Sequence, residues 1–578
     1  IIRYDIISLY FIIREESVMT AIIVYILLII VVSILFSAYS NFKADNEIKD
    51  RIENDWGREK SEKYNDGDMK TVAEYFNNKR KRENDSFFID EITWNDLSMD
   101  DVFKSINTTE SSPGEQYLYN MLREPLYNDQ ELGNRDRLIK FFQYNQVERK
   151  KIQYILARLG KDRNCFISDY FYKKEDRRKS KLGYYRMMAG TPILGIVLLF
   201  FNPYMALIVI LISFGVNIYE YYSEKKKIVH KFEAFMYILR IAKYAGMILK
   251  EQVEELQCYN EKLRDALKGI RSIKNAAFTQ GGGATDSGVL TEYLGMFFLV
   301  ELINYEKMSD MLVEKSSEFE TIFEVVGIID SCISIASYRD RIHSYVTPEL
   351  KRCSKKQEQV SIFKELRHPL IENSIPNSIE IDNSILITGS NASGKSTFLK
   401  TVAINIILAQ TIYTCLASEF KCCYFRIYTS MALKDDIFNN ESYYIVETKS
   451  LKRIIDGVDD SIPTICFVDE ILRGTNTVER IAASSQVLKY LTLSNCICVA
   501  ATHDIELTYI LEKYFSNYHF QEEIVDNNIS FDYKIHGGRA QTQNAIKLLG
   551  ILGYSDEIVG KAQEKASSFL KDGVWQIE

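Results

Sequence analysis

The chain has 578 residues at 67.0 kDa, too long for one compact core, so several folding units are expected. Hydrophobic residues make up 46% and charged residues 26%, a composition that excludes a disordered chain. With 71 basic and 79 acidic residues the net charge is −8, which excludes a uniformly basic nucleic-acid coat, and a mean hydropathy of −0.15 excludes a multi-span transporter.

Residues 1–16 read as sequence upstream of the mature chain, because Met19 stands just before the first apolar run. No residue from Ser17 to Phe42 is charged, and the stretch exceeds the roughly 20 apolar residues that cross a bilayer. An uncleaved transmembrane anchor over 17–42 is therefore expected. A cleaved signal peptide is its rival, although its apolar region is normally only about 7–15 residues. Residues 43–85 are polar and weakly patterned, and read as a juxtamembrane linker.

Residues 86–186 read as a helical connector. Within it Thr109–Gly114 is a turn or N-cap cluster, and Tyr117, Leu118, Met121 and Leu122 share one helical face. A second uncharged run, Met187–Tyr219, is broken at Asn202-Pro203. Basic residues crowd both flanks (Lys173 to Arg186, and Lys225 to Lys231), which puts both ends on one side of a membrane. An even number of crossings satisfies that, so 187–219 reads as a transmembrane hairpin. The alternative is a buried helical hairpin within a soluble domain. Residues 220–350 carry heptad-like helical stretches, interrupted at Gln280–Thr285. From 351 to 578 short β-branched runs alternate with helical patterns, the texture of a parallel α/β sheet. The ten cysteines form no CxxC pair, so neither a zinc site nor a disulfide framework is expected, in keeping with a reducing cytoplasm.

Chemistry concentrates in three places. In Ile385–Lys400 an apolar run ends at Gly389, and Gly389-Ser390-Asn391-Ala392-Ser393-Gly394-Lys395-Ser396-Thr397 fits the phosphate-binding P-loop, with a helical stretch after it. Its glycines free backbone N–H groups to wrap phosphates at a helix N-terminus. Lys395 would reach the β- and γ-phosphates, and Ser396 would bind Mg²⁺. Thr464–Glu470 is an apolar run ending in two carboxylates, where Asp469 would hold Mg²⁺ and Glu470 would polarise the attacking water. Asn495–His503 is another such run, and His503 at its end could contact the γ-phosphate or order the water.

Together, Thr388–Thr397, Asp469–Thr477 and Ala501–Thr508 resemble the ATPase domain of MutS-type DNA mismatch repair proteins. Asn391 within the loop and Arg473-Gly474-Thr475 after the carboxylates carry that resemblance. Arg367-His368-Pro369 and Pro376-Asn377 are similar to its lead-in, and Gly537-Gly538 with the helix around Ala545–Ala562 to its C-terminal element. Ser442–Glu447 looks like the family's loop that reaches the partner subunit's nucleotide, which makes Ser442 the trans contact to the γ-phosphate. The resemblance implies an α/β P-loop NTPase domain with a MutS/ABC-like parallel sheet. A mainly helical lever region with transmembrane helices would precede it. It also implies ATP and Mg²⁺ as cofactors, a homodimer through the ATPase domain, and mismatched or branched DNA as a candidate client. Nothing before residue 86 resembles the family's mismatch-reading domain, and Val478-Glu479-Arg480 departs from its usual Phe-Asp-Gly. Two other readings stay open: an ABC-type membrane remodelling motor, and an ATP-gated membrane protein that touches no DNA.

Overall fold

The computed structural model describes residues 35–60, 63–83, 86–163, 180–271, 295–353, 358–390, 393–431, 443–525, 528–540, 545–551 and 553–573, with isolated positions 25, 28, 32 and 575. Most of the expected N-terminal anchor lies outside them. The chain is helical over 35–54. Residues 63–83, expected as linker, instead form helices α1 (Asp66–Val72) and α2 (Glu74–Arg82). The reason is aromatic: Tyr75 and Phe76 are fully buried, and each such side chain contributes about 2–3 kcal/mol through burial. Upstream of them Trp56 is also tied to the fold, its indole N–H donating to Asp340 at 2.6 Å.

The turn cluster before residue 114 begins helix α3 (Ser112–Arg123), with Ser111 as N-cap. A hairpin follows from α4 (Leu182–Leu198) and α5 (Pro203–Lys250). Asn202 fixes the turn, its side chain accepting the N–H groups of Tyr204 and Met205, with Pro203 at the first helical position. The run Met187–Tyr219 is thus two helices, but α5 passes without a break through residue 219 and on into the helical core, where Ala234, Ile238, Ile241, Ala245 and Ile248 are buried. Within the described residues, one stretch is long and apolar enough to cross a membrane, Pro203–Lys225, and only 22% of it is buried.

Helix α6 (Ser316–Ile342) packs along α3. The close approach needs glycines: a Cβ on Gly114 would lie 2.2 Å from Asp330, and one on Gly327 would lie 2.6 Å from Tyr117. Asp330 is wholly buried and accepts the N–H and hydroxyl of Ser111 at 2.8 and 2.5 Å and the N–H of Glu110 at 3.1 Å. Burial pushes its pKa up to about 6. Near the end of α6, Arg339 donates to the Ile412 and Tyr413 carbonyls and pairs with Asp136, so helical region and α/β domain share one core.

Among the described residues, ten strands build two sheets in the α/β domain. A small sheet, in order β1-β5-β2-β3, comprises β1 (Glu349–Lys351), β2 (Ser361–Leu366), β3 (Asn377–Ile381) and β5 (Glu419–Cys423). It pairs β1 with β5 in parallel and β2 antiparallel to both neighbours, a small mixed sheet beside the expected parallel one. The larger sheet runs β10-β9-β4-β8-β7-β6, from β4 (Ser384–Thr388), β6 (Arg426–Ser430), β7 (Thr464–Asp469), β8 (Cys496–Ala501), β9 (Phe515–Val525) and β10 (Asn528–Gly537). All its pairings are parallel except the edge pair β9–β10. The expectation of no disulfide is corrected. Parallel pairing of β1 with β5 brings Cys353 and Cys423 to a Cα separation of 6.0 Å, and the two are bonded across 70 residues of chain. A short-range motif search has no access to such a pair. The expected helix over Ala545–Ala562 is in fact two, Ala545–Ile551 and Asp556–Asp572, the second capped by Ser555.

Candidate active site at the carboxyl edge of the large sheet

Strands β4, β8 and β7 are adjacent and parallel, so their carboxyl ends share one edge of the sheet, where ligands of open α/β sheets bind. Ile385, Leu386 and Ile387 in β4, and all of β8, are buried, as strands covered on both faces must be. The three sequence segments that carry chemistry therefore end within reach of one another.

After β4 the backbone turns at Gly389 (φ 147°), where a Cβ would meet the Phe520 carbonyl at 2.8 Å. It enters helix α7 (Lys395–Thr411) through Gly394 (φ 106°). Only glycine takes both positions without strain. The Lys395 ammonium folds back onto the Gly389 and Ser390 carbonyls at 2.9 and 2.8 Å and stands 3.5 Å from His503 Nε2. Burial lowers its pKa, and Asp469, Glu470 and Glu522 oppose that shift. Ser390 donates from its hydroxyl to Glu522 on β9, a contact the sequence did not suggest. Ser393 Oγ is buried with no hydrogen-bond partner. Asn391, Ala392 and Ser442 lie outside the described residues, and Thr397 lines the pocket beside the loop.

At the end of β7, Ser396 Oγ donates to Asp469 Oδ2 at 2.5 Å, while Asp469 Oδ1 is buried without a partner. Burial raises the Asp469 pKa. An orphaned carboxylate oxygen beside a serine hydroxyl fits Mg²⁺, which takes one or two carboxylates and fills its octahedron with water and phosphate oxygens. Glu470 follows in the left-handed region (φ 55°), with its N–H on the Ala501 carbonyl at 2.9 Å. Its carboxylate spans His503 Nε2 (3.1 Å) and Arg473 Nη1 (2.9 Å). The histidine hydrogen bond is the main cause of its lowered pKa. That carboxylate is an acceptor held between two cationic or donor groups, suited to taking a proton from water. In the segment that departs from the family pattern, Arg480 forms a two-point ion pair with Asp504 at 2.8 and 2.6 Å.

A pocket of about 410 Å³ opens beside Ser393–Thr397 and Glu470. Its far wall is formed by His368, Ile371, Ile375, Asn377, Phe520 and Tyr533, a mostly apolar surface with a few polar groups, as binding pockets have. His368 and Asn377 belong to the segments noted in the sequence. Asn377 also fastens the hairpin edge, donating to the Tyr533 carbonyl at 3.0 Å and accepting the Ile535 N–H at 2.8 Å. Tyr533 and Phe520 escaped sequence reasoning. Their only signal was an aromatic in each of two alternating strands, a pattern shared with many core residues.

Residues 385–570 match the model of MutS domain V. The chain is 29% identical over 271 residues to the DNA mismatch repair protein MutS of Pseudothermotoga lettingae, which covers 45% of this chain and 32% of that protein. Identity is 28% over 279 residues to the protein of the same name from Thermotoga maritima, with 46% and 34% covered. For that of Clostridium perfringens the figures are 27% over 261 residues, with 42% and 28% covered. The chain thus spans about a third of the length of the curated relatives it matches.

Proposed function

We propose, for a chain that carries a MutS domain V across residues 385–570, that this protein binds and hydrolyses Mg-ATP at the carboxyl edge of its large sheet and couples the cycle to a change of shape on a client. The observation that carries the reading is convergence. Lys395, Ser396, Asp469, Glu470 and His503 come from three separate stretches of sequence and meet beside one pocket. In this reading the loop Gly389–Thr397 wraps the phosphates, and Lys395 exchanges its two carbonyl contacts for β- and γ-phosphate oxygens. Ser396 and Asp469 hold Mg²⁺, which neutralises phosphate charge when bound. Glu470 orients and deprotonates the water, and His503 keeps the Glu470 carboxylate in place and adds a donor near the γ-phosphate. The pocket beyond the loop takes base and ribose. A second copy of the chain completes the site, with Ser442 reaching across to its nucleotide, so the working unit is a homodimer.

Glu470→Gln should bind Mg-ATP with affinity within about threefold of wild type while single-turnover hydrolysis falls by at least about a hundredfold. Unchanged hydrolysis in that variant would remove the assignment. DNA is the first client to test, because the relatives are DNA mismatch repair proteins by name. Binding to duplex, branched and mismatched DNA should depend on nucleotide and fall steeply across a salt series.

One observation favours a second client. The α4–α5 hairpin presents its apolar tip outward, with Phe200 88% and Phe201 80% exposed, and its candidate span is mostly unburied. A membrane-anchored form of the same ATPase, with the α/β domain on the cytoplasmic face, accounts for such a surface. An active enzyme that binds vesicles but none of the three DNA forms would establish this as the client instead.

A further inference from the structure

We infer that Glu447 is a positioning residue for hydrolysis: its buried carboxylate anchors the loop that carries Glu470 and ties that loop to the helix beginning at Tyr443. The inference rests on the reading of Glu470 as the group that activates water.

Glu447 lies one turn into helix α8 (Tyr443–Asp456), and only 3% of it is exposed. Its carboxylate faces three consecutive backbone N–H groups, those of Leu472, Arg473 and Gly474, with Arg473 N–H to Oε1 at 3.4 Å. Successive N–H groups converge in this way when a residue between them turns left-handed, a concavity that accepts anions. Leu472, at φ 54°, is such a residue, and Glu470 two places earlier is another at φ 55°. Each left-handed residue without glycine's freedom costs about 1–2 kcal/mol, so the loop needs an outside partner to hold its shape. Packing supplies a second tie: a Cβ on Gly474 would stand 3.0 Å from Tyr444 Cβ and 3.3 Å from its backbone. Burial raises the Glu447 pKa, and the three N–H groups oppose that shift.

The consequence is a link between two ends of one helix segment. Ser442 immediately precedes α8, and Glu447 one turn later grips the loop of Glu470 in the same subunit.

The test uses the full chain and compares wild type, Glu447→Gln and Glu447→Ala with Glu470→Gln. Hydrolysis should fall about ten- to a hundredfold in Glu447→Ala and less in Glu447→Gln, which keeps one acceptor oxygen. The dissociation constant for a fluorescent ATP analogue should stay within about twofold in both, because neither change touches the P-loop. A wild-type rate in Glu447→Ala, or rate and affinity falling together, overturns the inference. If Glu447→Ala fails to fold by circular dichroism, Glu447→Gln is judged by the same two criteria. Hydrolysis that survives in Glu470→Gln sinks the proposed function itself, and so is told apart from a failure confined to Glu447.

Discussion

His368 shows how strongly the pocket wall excludes water. It is 8% exposed, and burial, helped by Lys400, pulls its pKa down to about 4. Its Nδ1 accepts the Leu370 N–H at 3.1 Å, which leaves the ring neutral with the proton on Nε2. The unfolded chain binds a proton at this residue near pH 6.5, so stability is fully present above that pH and is lost as pH falls toward 4. The loss should reach about 3 kcal/mol at pH 4. Urea midpoints measured from pH 7.5 to 4.5 should drop more in wild type than in His368→Gln. Parallel curves would mean that the ring carries its proton when folded. At this scale the candidate site was legible, because Gly389-x₄-Gly394-Lys395-Ser396 and Asp469-Glu470 follow a pattern of fixed local spacing. The partners Glu522, Arg473 and Glu447 were not, because each contact joins positions whose distance only the folded sheet determines.

Between elements, the contact of α3 with α6 has the least tolerance. A methyl on Gly327 would meet Tyr117 Cβ at 2.6 Å and the Pro113 carbonyl at 2.9 Å, and the latter cannot move without breaking the start of α3. Gly327→Ala should cost about 1–3 kcal/mol in denaturant unfolding. Gly133, inside the helix Asp129–Tyr144, has nothing within 4 Å of a built Cβ, and Gly133→Ala should stabilise by about 0.5–1 kcal/mol. Equal effects of the two substitutions would contradict the packing described. The sequence marked Thr109–Gly114 as a turn but could not identify Asp330 as the acceptor that holds it, since that residue belongs to a helix some 220 positions away. Likewise 43–85 looked like a linker because its charged residues outweigh Trp56, Tyr75 and Phe76 in any average. Those few aromatics nonetheless decide whether the stretch packs.

For the whole molecule the open question is what the hairpin touches. Its outward residues include Ile193, Leu194, Leu207, Ile208, Leu211 and Ile212, each more than half exposed. A monomeric soluble protein rarely leaves so continuous an apolar surface in water. Phe200→Asp with Phe201→Asp should abolish co-flotation with vesicles of anionic lipid while leaving ATP hydrolysis within about twofold. Flotation that persists in the double variant would assign any lipid contact elsewhere.

Helix α5 gives that hairpin a mechanical reach. Its 48 residues make a rod about 72 Å long, packed among the core helices from Ala234 to Ile248, braced midway where Asn217 donates to the Phe297 carbonyl and Tyr221 to Glu301, and exposed at the tip. A rotation of about 5° where the helix enters the core swings the tip, about 46 Å away, through about 4 Å. A sub-ångström adjustment in the core, next to the α/β domain, is thereby read out at the far end as a displacement large enough to open or close a contact.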